Sequence, residues 1–177
     1  MAGLTRLAQF WLLLTAPVVL IDAVFVLTRA ASPDEPHPLA NTPPFSFWEL
    51  YATYDRRYGP NDDAFVVVQS WLNLLEIVLG VFSVVLTWKG DACRSVKLAL
   101  IVSVMTAYKT VLYLALDVAE GGKYTRHNTA LDMLTMVLLP SSLWIAVPTV
   151  VALQCLRRLS ATAGRGATPS LKKAKRG

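Results

Sequence analysis

Residues 64–88 read AFVVVQSWLNLLEIVLGVFSVVLTW, a stretch in which Glu76 is the one charged side chain. An α-helix rises about 1.5 Å per residue, so about 20 apolar residues cross the roughly 30 Å hydrocarbon core of a bilayer. Backbone N–H and C=O groups must be hydrogen-bonded internally in lipid, and a helix achieves this within one segment. The stretch therefore predicts a transmembrane helix.

Three other segments have the same character, and together they decide the fold class. They are residues 7–27, 96–118 and 131–156. The chain as a whole is 54% hydrophobic and 16% charged, with a mean hydropathy of +0.46, whereas a water-soluble domain carries about 25% charged residues. We predict an all-α, polytopic membrane protein, a bundle of four transmembrane helices over residues 7–156.

The composition disfavours several other classes of protein. The first apolar run exceeds the about 7–15 residues of a signal-peptide core, so we expect it to remain as an anchor. Two cysteines cannot build a disulfide scaffold. The chain has neither a G-x-G-x-x-G nor a G-x-x-x-x-G-K-[ST] string to hold nucleotide phosphates. We therefore expect no cofactor, no metal and no nucleic-acid partner.

The distribution of Lys and Arg predicts the orientation of the spans. These residues are more frequent in residues 1–6, in the 89–95 loop and in the 157–177 tail than in the other two connections. By the positive-inside rule both termini face the cytosol, and the small, polar, basic tail is expected to be disordered. Lys173 and Lys175 fit a KxKxx retrieval signal, or alternatively a basic patch for anionic lipid. We predict a multi-pass protein of the endoplasmic reticulum membrane.

Ionisable side chains fall inside the predicted spans, where each charge costs about 2.5–3.5 kcal/mol on insertion scales. Their depths predict a cavity open toward the non-cytosolic side, with acids at its mouth and at mid-depth. Asp22 has no evident cation partner, which makes it the strongest functional candidate. Glu76 and Lys109 are alternatively a structural ion pair, and Asp117 and Asp132 are alternatively interfacial caps.

The fourth predicted helix carries polar groups and an aromatic ring at mid-depth. Pro140 and Pro148 each remove a backbone donor, and the freed carbonyls, with Ser141, would face a cavity. Trp144 lies between the prolines, too deep for an interface anchor, so it either lines the site or packs between helices. Tyr108 and Tyr113 on the third helix have the same two interpretations.

Carboxyl groups in a low-dielectric cavity suit proton transfer to a hydrophobic substrate. Such a group can stay protonated near neutral pH and can protonate an alkene. The resulting carbocation is stabilised by an ionised carboxylate and by an aromatic face. The same site would bind hydrophobic amines, because an ammonium resembles the cation.

Residues 47–58, FWELYATYDRRY, resemble the W-x-x-Y-A-x-x-D-x-R-Y stretch of the emopamil-binding protein family. Residues 103–117, SVMTAYKTVLYLALD, are similar to the family's third-helix pattern S-V-x-x-x-Y-x-x-V-L-Y-x-x-x-E, and Trp144 with Pro148 is similar to its fourth helix. The family belongs to the EXPERA domain group, which includes the sigma-2 receptor. The resemblance extends over residues 10–155.

The resemblance implies a four- or five-helix bundle of the endoplasmic reticulum, usually a homodimer. The family's activity is the 8-to-7 shift of a sterol double bond by protonation and deprotonation. It implies proton transfer by Asp22 and Asp117, with the cation stabilised by Glu76 and Trp144. We therefore expect a sterol or terpenoid substrate, catalysis by Asp22, Asp117 and Glu76, and substrate contacts from Trp144, Tyr108, Tyr113 and Ser141.

The sequence departs from the family pattern at several positions. Val18 stands where the family has a first-helix histidine, four residues before the acid. Asp22 and Asp117 are shorter by one methylene than the family's glutamates. Lys109 replaces a small residue, and Ser141 lies near a family asparagine. The alternative functions are a non-catalytic membrane protein that binds sterols or hydrophobic amines, and a structural or trafficking protein whose charges merely pair.

Overall fold

The computed structural model describes residues 2–166, and its regular structure is entirely helical over that range. Four helical spans are long and apolar enough to cross a membrane, so the predicted four-helix membrane bundle is confirmed. The helices are α1 (Arg6–Thr28), the short α2 (Ser46–Tyr54), α3 (Ala64–Trp88) and α4 (Ala92–Ala119). The fourth span begins as α5 (Ala130–Asp132), passes through a π-helical stretch (Met133–Leu138) and continues as α6 (Leu139–Gly166).

Side-chain caps explain where two of the spans begin. Asp63 and Asp91 each accept a hydrogen bond from a backbone N–H of the first turn of α3 and α4, at 2.8 and 3.2 Å. Such caps satisfy amide groups that have no partner within the helix. Because Asp91 caps it, α4 begins at Ala92 rather than at the predicted residue 96. Gly90, with φ +83°, makes the tight turn before it.

The C-terminal end differs from the expectation. The sequence predicts a disordered tail from residue 157, but α6 continues to Gly166. Residues 157–162 contain Arg, Leu and Ala, which have high helix propensity, and the span before them has already nucleated the helix. Residues 167–177, with Lys173 and Lys175, lie outside the described residues.

The spans pack as neighbours, α1 against α3, α3 against α4, and α4 against α6. Large apolar side chains such as Phe10, Trp71 and Val78 point outward, as expected for a surface that contacts lipid. The end of the bundle nearest the N-terminus is filled by an apolar core of Leu4, Ala8, Leu12, Val84, Val96, Ala99, Val102, Val151 and Cys155.

The long connection between α1 and α3 is fastened over the other end of the bundle. His37 is buried; its Nε2 is hydrogen-bonded to the carbonyl of Phe25 at 2.8 Å, and the two rings stack with 3.8 Å between centroids. Arg29 donates to the carbonyl of Arg57 and, at 2.7 Å, to that of Asp63. These contacts hold the connection, with α2 inside it, against the bundle.

Candidate functional site

A cavity of about 310 Å³ lies between the spans at the end that α2 covers. Five helices, α1, α2, α3, α4 and α6, contribute side chains to its lining, and most of these are apolar or aromatic. Asp22, Tyr113, Ser141 and Trp144, all predicted from the sequence, lie on this lining, and Lys109 joins them. Binding sites for small hydrophobic ligands have this character, with few polar groups on an apolar wall.

Among the residues that the structure describes, Asp22 on α1 is the one carboxyl group on this lining. It is held by two neutral donors: Trp48 Nε1 donates to Oδ1 at 2.9 Å, and Asn73 Nδ2 donates to Oδ2 at 3.4 Å. Within the described chain, no ion pair of 4 Å or less includes Asp22. Each carboxylate oxygen therefore keeps acceptor capacity for a ligand.

Glu76 on α3 lies outside the lining and is buried, with 6% of its side chain exposed. Its Oε2 accepts hydrogen bonds from Lys109 Nζ at 2.7 Å and from Thr106 Oγ1 at 2.8 Å. The ion pair between Glu76 and Lys109, one of the two interpretations of these residues, is therefore present. Glu76 has an ammonium as the partner of its Oε2 and lines a smaller neighbouring cavity instead, so its role as a catalytic acid stays a prediction.

Asn73 connects this ion pair to Asp22. Its side-chain oxygen accepts a hydrogen bond from Lys109 Nζ while its NH₂ group donates to Asp22. Asn73 and Glu76 stand three residues apart on α3, a spacing that places both on one helix face. The polar groups thus form one chain, from Asp22 through Asn73 and Lys109 to Glu76. Lys109 both pairs with Glu76 and lines the cavity.

The wall beside Asp22 is aromatic. Trp48 and Tyr51 come from α2, and Tyr58 from the loop after it. Tyr51 and Tyr58 pack edge to face, with 5.0 Å between ring centroids. Burial raises the pKa of both phenols well above the ordinary value, so they stay neutral. Trp144 lines the cavity and also packs on Trp11, at 5.2 Å between centroids, so both interpretations of Trp144 hold.

Tyr113 brings a second acid to the edge of the cavity. Its hydroxyl donates to Asp55 Oδ2 at 2.6 Å, and the backbone N–H of Arg57 donates to Asp55 Oδ1 at 3.1 Å. Asp55 follows α2 and lies outside the spans. Burial disfavours its charged form and raises the pKa of Asp55 to about 6, against the lowering effect of the hydrogen bond from Tyr113. Tyr113 is thus a cavity hydroxyl backed by a titratable carboxyl group.

Ser141 lies on the lining with limited hydrogen-bonding capacity. Its hydroxyl donates to the carbonyl of Val137 at 2.7 Å, within the π-helical stretch. Pro140 beside it also lines the cavity, and its ring nitrogen has no hydrogen to donate. Ser141 can accept a hydrogen bond from a ligand, but its proton is already used.

Asp117 does not line the cavity, which corrects the expectation that it shares a site with Asp22. It lies at the end of α4, where Thr125 Oγ1 donates to its Oδ2 at 2.6 Å. It therefore serves the turn that follows α4. Asp132 is part of the cap of α5, because Thr129 accepts its N–H at 3.2 Å and donates to its carboxylate at 2.7 Å.

Tyr108 is also placed elsewhere, since it is 67% exposed on the outer surface of α4. Successive helical residues are about 100° apart around the axis. Lys109 and Tyr113, four residues apart, share the inward face, and this rotation carries Tyr108 away from it. The prediction of a substrate contact from Tyr108 is therefore wrong for this cavity.

Other lining residues were missed from the sequence, notably Trp48, Tyr51, Tyr58 and Asn73. The aromatic stretch around Trp48 forms α2 over the cavity. The three-residue spacing of Trp48 and Tyr51, which places both on one face of a helix, is the signal that could have identified them.

A buried arginine holds the connection between α1 and α3, which contains α2, in place over the cavity. Arg57 is 1% exposed and forms ion pairs with Asp63, at 2.5 Å, and with Glu120. Its guanidinium also lies 4.4 Å from the ring centroid of Tyr124. These contacts join the loop before α3 to the turn after α4, and so fix the position of α2 and of its aromatic side chains.

Comparison with known proteins adds no assignment. No family model matches the chain, and no curated protein sequence matches it. Over the described residues, no group of three or more His, Cys, Asp or Glu side chains could hold a metal ion.

Proposed function

We propose that the protein is a membrane-embedded isomerase of the EXPERA type, which shifts a double bond in a sterol or related terpenoid. The observation that carries this proposal is Asp22, an acid on the wall of an aromatic cavity among membrane-spanning helices. It is hydrogen-bonded by an indole and an amide, and no cation pairs with it within the described chain.

The reaction begins with proton donation. The protonated carboxyl group of Asp22 transfers its proton to one carbon of the alkene, so a C–H bond forms, the π bond breaks and the neighbouring carbon becomes a cation. The carboxylate left on Asp22 and the faces of Trp48, Tyr58 and Trp144 stabilise this cation.

Deprotonation on the other side of the cation completes the shift. The Tyr113 hydroxyl, backed by Asp55, is the acceptor: Tyr113 takes the proton from the carbon as its own proton passes to the Asp55 carboxylate. The C–H electron pair becomes the new double bond. The proton returns from Asp55 to Asp22 through solvent between turnovers, so the enzyme is regenerated without a cofactor.

The setting of this reaction is part of the same proposal. The substrate enters from the bilayer, the protein resides in the endoplasmic reticulum with both termini in the cytosol, and two copies form a homodimer. The excess of Lys and Arg in residues 1–6, 89–95 and 157–177 supports the cytosolic placement of both termini.

Isotope incorporation tests the activity. Purified protein in detergent is incubated in D₂O with a sterol that carries the ring 8,9 double bond, and the product is analysed by mass spectrometry. We expect a shifted double bond with one deuterium, abolished in Asp22→Asn and retained in Tyr108→Phe, whose ring lies outside the cavity. Absence of product from well-folded wild-type protein would refute sterol isomerisation.

A non-catalytic binding protein for sterols or hydrophobic amines is the second candidate. It is favoured because Glu76 is occupied by Lys109 and Asp117 lies away from the cavity, which leaves Asp22 as the acid on the described lining. Tight binding of a hydrophobic tertiary amine without isomerisation, lost in Asp22→Asn, would establish this function. Amine binding that survives Asp22→Asn would show that the site is elsewhere.

A further inference from the structure

Two carboxyl groups and one ammonium share a chain of hydrogen bonds beside the cavity. Lys109 Nζ contacts the Glu76 carboxylate directly at 2.7 Å, but it reaches Asp22 only through the amide of Asn73. The amide orientation is fixed by its neighbours, because its oxygen must face the ammonium and its NH₂ group must face the carboxylate. The positive charge therefore sits beside one acid and is kept one side chain away from the other.

The groups around this chain favour that arrangement. The Thr106 hydroxyl is shared between the Glu76 oxygen that binds Lys109, at 2.8 Å, and the carbonyl of Val102, at 2.9 Å, and it stabilises the negative charge of Glu76. On the cavity side, Trp48 supplies a neutral donor to Asp22. Lys109 lies on the lining of the cavity, so its flexible side chain can bring the ammonium next to a bound ligand.

We infer that Glu76 holds the Lys109 ammonium away from Asp22, and that this ion pair determines how strongly the cavity binds a cationic group. The inference rests on the proposed function, in which Asp22 faces a cation. Glu76 and Lys109 are positioning residues, because they act on the ligand through Asp22. Removing the Glu76 charge frees Lys109 to pair with Asp22 and to compete with a ligand's cation. Removing the Lys109 charge leaves the Asp22 carboxylate unopposed.

The test measures binding of dimethyl(naphthylpropyl)amine to the full-length protein in detergent. Glu76→Gln should weaken binding about tenfold, and Lys109→Met should strengthen it by a similar factor, within the range of measured site-to-site couplings. Opposite signs from the two partners of one ion pair distinguish this role from a structural one, in which both losses would weaken binding. Lys97→Met, which removes an exposed charge from the same helix, should leave affinity unchanged.

A double variant and an uncharged ligand provide two further tests of the inference. The double variant Glu76→Gln/Lys109→Met removes both charges of the pair and adds no unpaired charge, so it should fold and bind the amine at least as tightly as wild type; weaker binding would overturn the inference. The uncharged hydrocarbon analogue of the same shape, (4-methylpentyl)naphthalene, should bind wild type and every variant equally. If its affinity changes in parallel with that of the amine, the effect is one of shape and the inference fails.

The outcomes separate this inference from the proposed function. If wild type binds the amine and Asp22→Asn abolishes binding, but Glu76→Gln and Lys109→Met change affinity in the same direction or not at all, the inference fails while the cation site stands. If wild type does not bind the amine, the cation site and the inference fall together.

Discussion

Asp55 should make the stability of the protein fall as the pH rises. Its pKa is raised by burial from 3.8 to about 6, so between about pH 4 and pH 6 the folded state keeps a proton that the unfolded state has lost. Stability is then lost through this window and levels off above it. At about 1.4 kcal/mol per pKa unit, the difference corresponds to about 3 kcal/mol.

Thermal unfolding in detergent between pH 4 and pH 7 measures this effect. Asp55→Asn keeps a neutral side chain that accepts the Tyr113 hydrogen bond, so it should lose the pH-dependent part at a pH-independent cost of about 1–3 kcal/mol for the second donor left unsatisfied. Asp62→Asn removes an exposed carboxyl group from the same loop and should retain the wild-type slope. Equal slopes for wild type and Asp55→Asn would refute the reasoning.

Three other substitutions test the contacts that hold the site and the segments around it. Trp48→Phe removes the donor to the Asp22 carboxylate, a contact of about 1.5–3 kcal/mol; the free energy of unfolding in detergent should fall by a comparable amount, and unaltered stability would contradict the contact. Arg57→Met removes a buried guanidinium from Asp63, which is 11% exposed, and from Glu120, which is 34% exposed, and should cost about 1.5–3 kcal/mol in thermal unfolding; an unaltered melting temperature would argue against these ion pairs. Thr125→Val removes the donor to Asp117 and should lower the melting temperature without changing amine binding, since Asp117 lies outside the cavity; a binding defect in a stable variant would place it inside.

The spans could be predicted because their signal is local. Length and apolar content alone decide whether a segment crosses a bilayer, and the four predicted segments correspond to the four helical spans. Asp22 could be identified for a related reason: an ionisable residue in lipid needs a partner or a function. Both inferences rest on the free energy of transferring a side chain from water into the membrane, which can be judged without knowing which residues pack around it.

The packing of the loop could not be predicted in this way. Trp48 reaches Asp22 because Arg57 and His37 hold the connection against the bundle, and these contacts join parts of the chain far apart in sequence. The side of α4 that faces inward depends on how it packs against α3 and α6. Tyr108 was therefore predicted on the wrong side, while Tyr113 was on the right one.

The π-helical stretch Met133–Leu138 decides where the fourth span tolerates a change of length. A π turn accommodates one residue more than an α turn, so the extra residue is absorbed within the stretch and the helix after it keeps its rotation. A one-residue deletion inside the stretch that restores α-helical hydrogen bonds should therefore leave Ser141 and Trp144 on the wall of the pocket. A deletion in regular α-helix has no such reserve, because it rotates every following residue by about 100°.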